Sequence, residues 1–210
     1  MNRTIILASQ SKARQELLKQ IGLKFKVAKS NVKEISKISG SCGFGYGCGY
    51  RKPNHGSLTC ADLVVKNALR KAQDVAGRLK SGVVIGADTV VWAGNRIIGK
   101  PKNMKDAIET LKLLSKKPQW VYTGIAVVDI DNAKDFVDYE KTKIYMYHLT
   151  DRQVRNYFKR VSPLDKSGSF DIQGLGSVFI DRIEGCFYNV VGLPLAKLAR
   201  LLNKEGVDVF

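Results

Sequence analysis

"GVVIGADTVVWAGNRIIGKP", residues 82–101, opens with the apolar run Val83–Ile85 and sets a single carboxylate, Asp88, at its end. The apolar character continues to Val91, a glycine-punctuated turn follows, and Arg96–Ile98 returns toward a lysine held between Gly99 and Pro101. A β-branched apolar run of this length, bounded by turn residues, reads as a buried strand with a short return strand. An acid at the tip of a buried strand is costly unless it binds a metal, pairs with a cation or reaches solvent in a cleft. The plainer reading is a turn aspartate. This stretch therefore predicts a strand of an α/β fold that ends at a charged position.

The rest of the chain alternates in the same way. Thr4–Ala8 reads as a short buried strand. Ser9 and Ser11 then offer capping hydroxyls to a helix carrying Leu17, Leu18 and Ile21, which Gly22 stops. Phe25–Ala28 predicts a second strand running on to Glu34. Ala61–Leu79 and Met104–Ser115 place apolar residues at helical spacing, and Trp120–Ile130 and Asp135–Tyr147 read as long strands. Thr150 and Asp151 can cap a helix through Phe158. Gly168–Gly176 is a glycine-rich loop before a strand at Ser177–Ile183, and Leu193–Asn203 reads as a closing helix. Strands alternating with helices favour an α/β architecture, and no internal repeat interrupts the series.

A chain of 210 residues, 44% hydrophobic and 26% charged, has the composition of a globular protein of one domain or one two-lobed unit. No apolar run approaches the length that spans a bilayer. The opening MNRTIILASQSKARQ has only a short apolar stretch and no small-residue cleavage site, so the cytoplasm is the expected compartment. A net charge of +16 implies attraction to polyanions, whether nucleotide, nucleic acid or anionic membrane, although much of it, as in Lys112–Lys117, reads as solvated surface.

Four stretches gather small, charged and glycine residues at the ends of predicted strands. In LASQSKAR, residues 7–14, a strand feeds a helix whose N-terminus favours phosphate, with Ser9, Ser11, Lys12 and Arg14 as further donors; an ordinary capped helix is the alternative. Asp88-Thr89 is the second and Gly99-Lys100-Pro101 the third, where rigid neighbours aim one lysine, or simply leave it exposed. In DKSGSFDIQGLG, residues 165–176, glycines permit close backbone approach and the Gln173 amide can read a base edge; a surface loop is the plain reading.

Taken in order, these motifs resemble the Maf family of nucleoside triphosphate pyrophosphatases, first named as septum-formation inhibitors. The likeness covers nearly the whole chain: LAS-x-S-xx-R, the acid Glu34, A-xx-K-A from Ala68 to Ala72, ADTVV, GKP, Thr123-Gly124, IQGLG and VVGLPL at 190–195. It implies one Maf-like domain over residues 1–210, an elongated mixed sheet with flanking helices in two lobes around a cleft, akin to the inosine-triphosphate pyrophosphatases. It also implies Asp88 as proton acceptor, Lys71 and Lys100 facing the triphosphate, and Glu34 with Asp88 holding a divalent metal, magnesium or alternatively manganese. Ser9, Ser11, Arg14, Thr89 and Gln173 would bind substrate, and Ala13, Thr89 and Gln173 would set specificity.

The implied reaction is hydrolysis between the α and β phosphates of dTTP, UTP or related modified nucleotides, a house-cleaning of the nucleotide pool. Thr89 and Gln173 match the pyrimidine branch of the family. Ala13 matches neither that branch's arginine nor the large aromatic of the branch that prefers 7-methylguanosine triphosphate. Ser167 replaces an alanine, and Asp171 adds an acid where a small neutral residue is usual.

Residues 39–57, SGSCGFGYGCGYRKPNHGS, form a Gly/Cys-rich insertion foreign to the family pattern. Cys42, Cys48, His55 and Cys60 supply four soft ligands for structural zinc, but C-x5-C is wider than usual zinc spacing, and a mobile loop is the expected state. Cys186, on a strand-to-loop segment, and His148, read as lying in a strand, each lack a catalytic partner in sequence, so a cysteine nucleophile is not expected. The rival reading is a non-catalytic, basic nucleic-acid-binding or cell-division regulator. Against it, no nucleic-acid motif is present and aromatics are not interleaved with the basic runs, so no stable nucleic-acid or membrane partner is expected, while a homodimer stays compatible with the sequence.

Overall fold

The computed structural model describes residues 3–36, 38, 58–163 and 168–209. It contains a mixed seven-stranded sheet in the order β2-β1-β3-β5-β6-β7, with β4 added to β3. The strands are β1 Ile5–Leu7, β2 Lys26–Val27, β3 Val83–Ala93, β4 Arg96–Ile98, β5 Gln119–Asp129, β6 Lys134–Met146 and β7 Ile180–Glu184. The helices are α1 Lys12–Gln20, α2 Cys60–Ala76, α3 Met104–Leu114, α4 Asp151–Phe158, α5 Phe187–Val191 and α6 Leu195–Asn203. The mixed α/β class expected from sequence is the one observed. No helix among the described residues is long and apolar enough to cross a membrane.

The chain forms two compact units. The first comprises Met1–Thr89, Thr123–Glu140 and Gly192–Phe210, and the second Val90–Tyr122 and Lys141–Val191. In the first, β1 pairs in parallel with both β2 and β3, Leu7 lying opposite Val27 and Ile85. Such strands are covered on both faces, which is why Ile5–Leu7 and Val83–Ile85 are apolar without alternation. Helix α1 begins where Ser11 Oγ accepts the Arg14 amide at 3.4 Å and ends ahead of Gly22, whose φ of +73° suits glycine. Helix α2 starts with a reciprocal capping box between Thr59 and Asp62.

The core of this unit sets Ile6, Ala8, Val84, Ala126 and Val128 of the sheet against Ala68, Ala72 and Val75 of α2. Two sheet glycines bring that helix close. A Cβ on Gly86 would fall 2.1 Å from the Ala68 carbonyl oxygen, and one on Gly124 would fall 2.4 Å from that of Val64. The alanines of A-xx-K-A and the glycine of Thr123-Gly124 are thus packing devices.

In the second unit, β3 turns back into β4 through Gly94 and Asn95, both at positive φ, with Val91 opposite Ile98. Helix α3 is capped by Asn103 and α4 by a Thr150–Gln153 capping box. Their apolar faces meet Val121, Ile144, Phe170 and Phe179 in one core.

The structure departs from the sequence reading in several details, the first being that β3 runs on to Ala93, so Asp88 lies inside the strand and not at its tip. Residues 175–179 wind into a 3₁₀ turn, so β7 begins at Ile180 rather than Ser177. The cause is Asp171, around which the loop closes: its carboxylate accepts the Gln173 amide at 3.0 Å, and a Cβ on Gly176 would meet its carbonyl oxygen at 2.6 Å. His148 lies beyond β6, exposed in the connection to α4. Helix α5 was not anticipated, and α6 starts two residues later than read because Pro194 stands at its N-cap. Cys60 is buried at the start of α2; the insertion at 39–57, with Cys42, Cys48 and His55, and Ser167 lie outside the described residues.

Candidate active site

Asp88 sits on β3 with 5% of its surface exposed. Helix α2, pressed onto the sheet by the two glycines, presents Asn67 and Lys71 four residues apart and hence on one face. Lys71 Nζ donates to Asp88 Oδ1 at 2.7 Å, and Asn67 Nδ2 donates to Oδ2 at 2.9 Å. The cost of burying the carboxylate is met by one cation and one amide.

The cation is shared. Lys71 Nζ also lies 2.5 Å from Oε1 of Glu34, whose side chain is 58% exposed. Asn67 fixes the segment that delivers Glu34, for its Oδ1 accepts the Ile35 amide at 2.8 Å and its Nδ2 donates to the Ile35 carbonyl at 2.9 Å. The same segment is strapped to α2 further back, where the Asn31 amide donates to Asp74 at 2.9 Å and Arg78 donates to the Lys29 carbonyl at 2.7 Å. Asn67 escaped the sequence reading. Its signal was position: it falls one turn after Leu63, on a face otherwise made of Leu63, Val64, Ala68, Ala72 and Val75.

Beside this group Arg14 reaches in from α1. Its Nε donates to the Gly192 carbonyl at 2.9 Å, and Nη1 donates to Ser9 Oγ at 3.2 Å and the Ala87 carbonyl at 2.9 Å. Nη2 donates to Thr89 Oγ1 at 3.0 Å. Thr89 and the buried Thr123 share a hydroxyl–hydroxyl hydrogen bond of 2.9 Å. Burial lowers the Arg14 guanidinium pKa, and the negative charges of Asp88 and Glu34 oppose that shift. Arg14 therefore ties together the residue just past β1, the middle of β3 and the Gly192 turn, where the backbone φ of +116° suits glycine.

The first unit thus brings together Ser9, Arg14 and Thr89 in one group and Glu34, Lys71 and Asp88 in another. Ser11 is an N-cap, with its Oγ turned to the Arg14 amide, and Ala13 is half-buried on α1. Lys100 and Gln173 belong to the second unit. Lys100 is exposed between exposed Gly99 and buried Pro101, and the Gly99 carbonyl accepts the Gly168 amide at 3.5 Å. Gln173 is exposed, its backbone held by Asp171. In this way the unexpected acid at 171 shapes the IQGLG turn.

Chemically, the pair of carboxylates around one ammonium can orient and deprotonate water, and their hard oxygens suit magnesium or manganese.

The model of the Maf-like protein family matches residues 4–205. Curated relatives named dTTP/UTP pyrophosphatase include one from Methanosarcina barkeri, 40% identical over 99% of this chain and 97% of its own. Others come from Desulforamulus reducens, 41% identical over 99% of both chains, and Bacillus anthracis, 41% identical over 99% of this chain and 98% of its own. Among solved structures, the Ham1 protein of Staphylococcus aureus superposes with a TM-score of 0.42 and 17% identity, over 70% of this chain and 73% of that one.

Proposed function

The chain belongs to the Maf-like family, and from that premise we propose that it is a nucleoside triphosphate pyrophosphatase of the dTTP and UTP type. It cuts between the α and β phosphates to release a nucleoside monophosphate and pyrophosphate. The observation that carries this reading is the state of Asp88: nearly buried, bonded through both oxygens, and neutralised by a lysine that an exposed glutamate also claims.

In the proposed reaction Asp88 orients the attacking water and takes its proton, while Asn67 holds the carboxylate in place. Lys71 offsets the charge of the triphosphate, which draws the ammonium partly away from the acids as substrate arrives. Arg14 positions Thr89 and the Ser9 hydroxyl. Asp88 and Glu34 are the residues that would hold a divalent ion. When bound, magnesium would neutralise phosphate charge and polarise the bond to phosphorus. Support for Lys100 as a phosphate contact and Gln173 as a base reader comes from the family motifs. We place the activity in the cytoplasm, with the nucleotide pool.

The test is pyrophosphate release from dTTP, UTP, CTP, GTP and 7-methyl-GTP with magnesium, repeated with excess EDTA. Release from dTTP and UTP that EDTA abolishes is the expected result, and silence across the panel overturns the reading. Turnover of 7-methyl-GTP ahead of the pyrimidines overturns the branch assignment. Because Ala13 lacks a donor, Ala13→Arg should sharpen preference for dTTP and UTP by about one to two orders of magnitude, the worth of one charge-assisted hydrogen bond.

A further inference from the structure

Successive side chains on a strand point to opposite faces, so Asp88 and its neighbour Thr89 serve different sides of β3. Asp88 turns to α2, where Asn67 and Lys71 meet it, and Thr89 turns to Arg14 of α1. Pairing with β1 ends where Leu7 lies opposite Ile85 and the Ala8 amide donates to the Ile85 carbonyl at 2.8 Å. Two residues further on, the Ala87 carbonyl is met by the Arg14 guanidinium instead of a strand. The two carboxylates and their ammonium thus lie on one face of β3. A pair of neutral hydroxyls, Thr89 and Thr123, lies on the other.

This second group is nearly saturated. A guanidinium has five N–H bonds. Among the described residues Arg14 commits four of them, to Gly192, Ser9, Ala87 and Thr89, which leaves one on Nη2. A hydroxyl has one proton and two lone pairs. One lone pair of Thr89 Oγ1 takes the Arg14 donor, and the 2.9 Å bond to Thr123 Oγ1 uses either the other lone pair or the proton. A cation donating to a hydroxyl oxygen polarises its O–H, so the chain of bonds runs outward from Arg14 through Thr89 to Thr123. The Thr89 proton then goes to Thr123, and one lone pair remains beside the last Arg14 N–H. Gly192 leaves that pair uncovered, for a Cβ there would stand 3.5 Å from Thr89 Oγ1 and 3.9 Å from Arg14 Nη2. Thr123 is fully buried and acts only through Thr89.

We propose that Thr123 sets the base preference of the site by holding Thr89 as an acceptor. A spare N–H beside a spare lone pair is the complement of an imide edge, in which N–H stands next to C=O. Uracil and thymine carry that edge at N3 and O4. Cytosine carries the reverse, a bare N3 next to an amine, which sets lone pair against lone pair and N–H against N–H. Without the Thr123 oxygen the Thr89 hydroxyl rotates and answers either edge. The proposal rests on the pyrophosphatase reading and adds to it a positioning residue that decides between the pyrimidines.

The experiment compares kcat/KM for pyrophosphate release from UTP, CTP and 3-methyl-UTP, whose N3 carries no proton. Ratios taken within one preparation cancel any difference in folded fraction. The wild type should prefer UTP over both competitors by about tenfold or more, the cost of leaving a buried polar group unpaired. Thr123→Val keeps the shape and removes the oxygen. Its UTP-to-CTP ratio should shrink about tenfold, through a fall for UTP and a rise for CTP. Thr123→Ser keeps the hydroxyl and should hold the ratio within about threefold of wild type. A wild type that turns over CTP or 3-methyl-UTP as well as UTP overturns the proposal, and so does an unchanged ratio in Thr123→Val. In both cases turnover of UTP leaves the pyrophosphatase reading standing. Equal losses in Thr123→Ser and Thr123→Val overturn it too, by assigning Thr123 to packing. Silence of the wild type on every nucleotide overturns the reading and the proposal together.

Discussion

Asp88 and Asp129 both lie in the first unit with their side chains withdrawn from water, yet they are bonded in contrasting ways. Asp129 accepts two bonds from Arg3, one of them at 2.7 Å, and two more from Asn132, at 3.1 Å from the amide and 2.8 Å from the side chain. That fork of donors holds its carboxyl far below the usual range, led by the Arg3 contact, and holds Arg3 above its own. Asp88 has one amide and one ammonium, and the ammonium is divided with Glu34. Burial alone would nominate both acids as reactive. The partners separate them: Asp129 accepts four hydrogen bonds, two of them from a guanidinium that has donors to spare for Asp131, while Asp88 accepts two and shares its single ammonium with an exposed glutamate.

The sharpest test of this contrast is Asp88→Asn. It keeps the shape and the Asn67 contact while removing the base, so turnover should fall about 10²–10⁴-fold with little change in urea midpoint. Near-normal turnover in a folded Asp88→Asn protein would erase the distinction between the two acids.

The counterpart is Arg3→Ala, which leaves Asp129 buried without its cation. We expect a loss of about 3–5 kcal/mol in unfolding free energy, with turnover per folded molecule unchanged. The pH dependence sharpens it. A carboxyl depressed in the folded state contributes stability that is present above its unfolded pKa, near 4, and is lost as pH falls toward the folded value. Glu205 runs the other way: raised chiefly through its hydrogen bond to Asp129, it contributes at low pH and loses that contribution as pH rises through its folded pKa. Asp129 governs the acid side, so urea unfolding should show wild-type stability dropping below about pH 4. That drop should flatten in Arg3→Ala; an equal drop in both would detach Asp129 from the acid response.

Asn67→Ala should give the smallest effect. With one donor gone from Asp88 and Ile35 released, turnover should fall about tenfold with KM nearly unchanged, and stability by about 1–3 kcal/mol. A rise in KM with turnover intact would move Asn67 from holding the acid to binding substrate.

The contrast between the two acids was only half legible in the sequence. Asp88 stood out because it ends an apolar run and lies in a family motif. Its partners Lys71 and Glu34 came with the same motifs. Asn67 did not, since an asparagine in a helix reads as surface unless the helix's buried face is already known. Asp129 lies within the strand read at Trp120–Ile130 and carries no local signal, because its arginine lies 126 residues away along the chain. The strands and long helices were recovered to within a few residues, because periodicity and caps are local. The 3₁₀ turn at 175–179 was missed because the contacts that wind it, centred on Asp171, are tertiary.

Gly86 and Gly124 give the contrast a final turn. They set the stand-off between α2 and the sheet, and that stand-off is the gauge against which the Lys71–Asp88 separation is cut. A single methyl at either position would meet a helix backbone at under 2.5 Å and must lift the helix. The ammonium and the amide would be carried off with it. A map of inactivating substitutions in this protein should therefore show two bright positions that touch no substrate and carry no functional group. Their contribution to the chemistry is the room they leave empty.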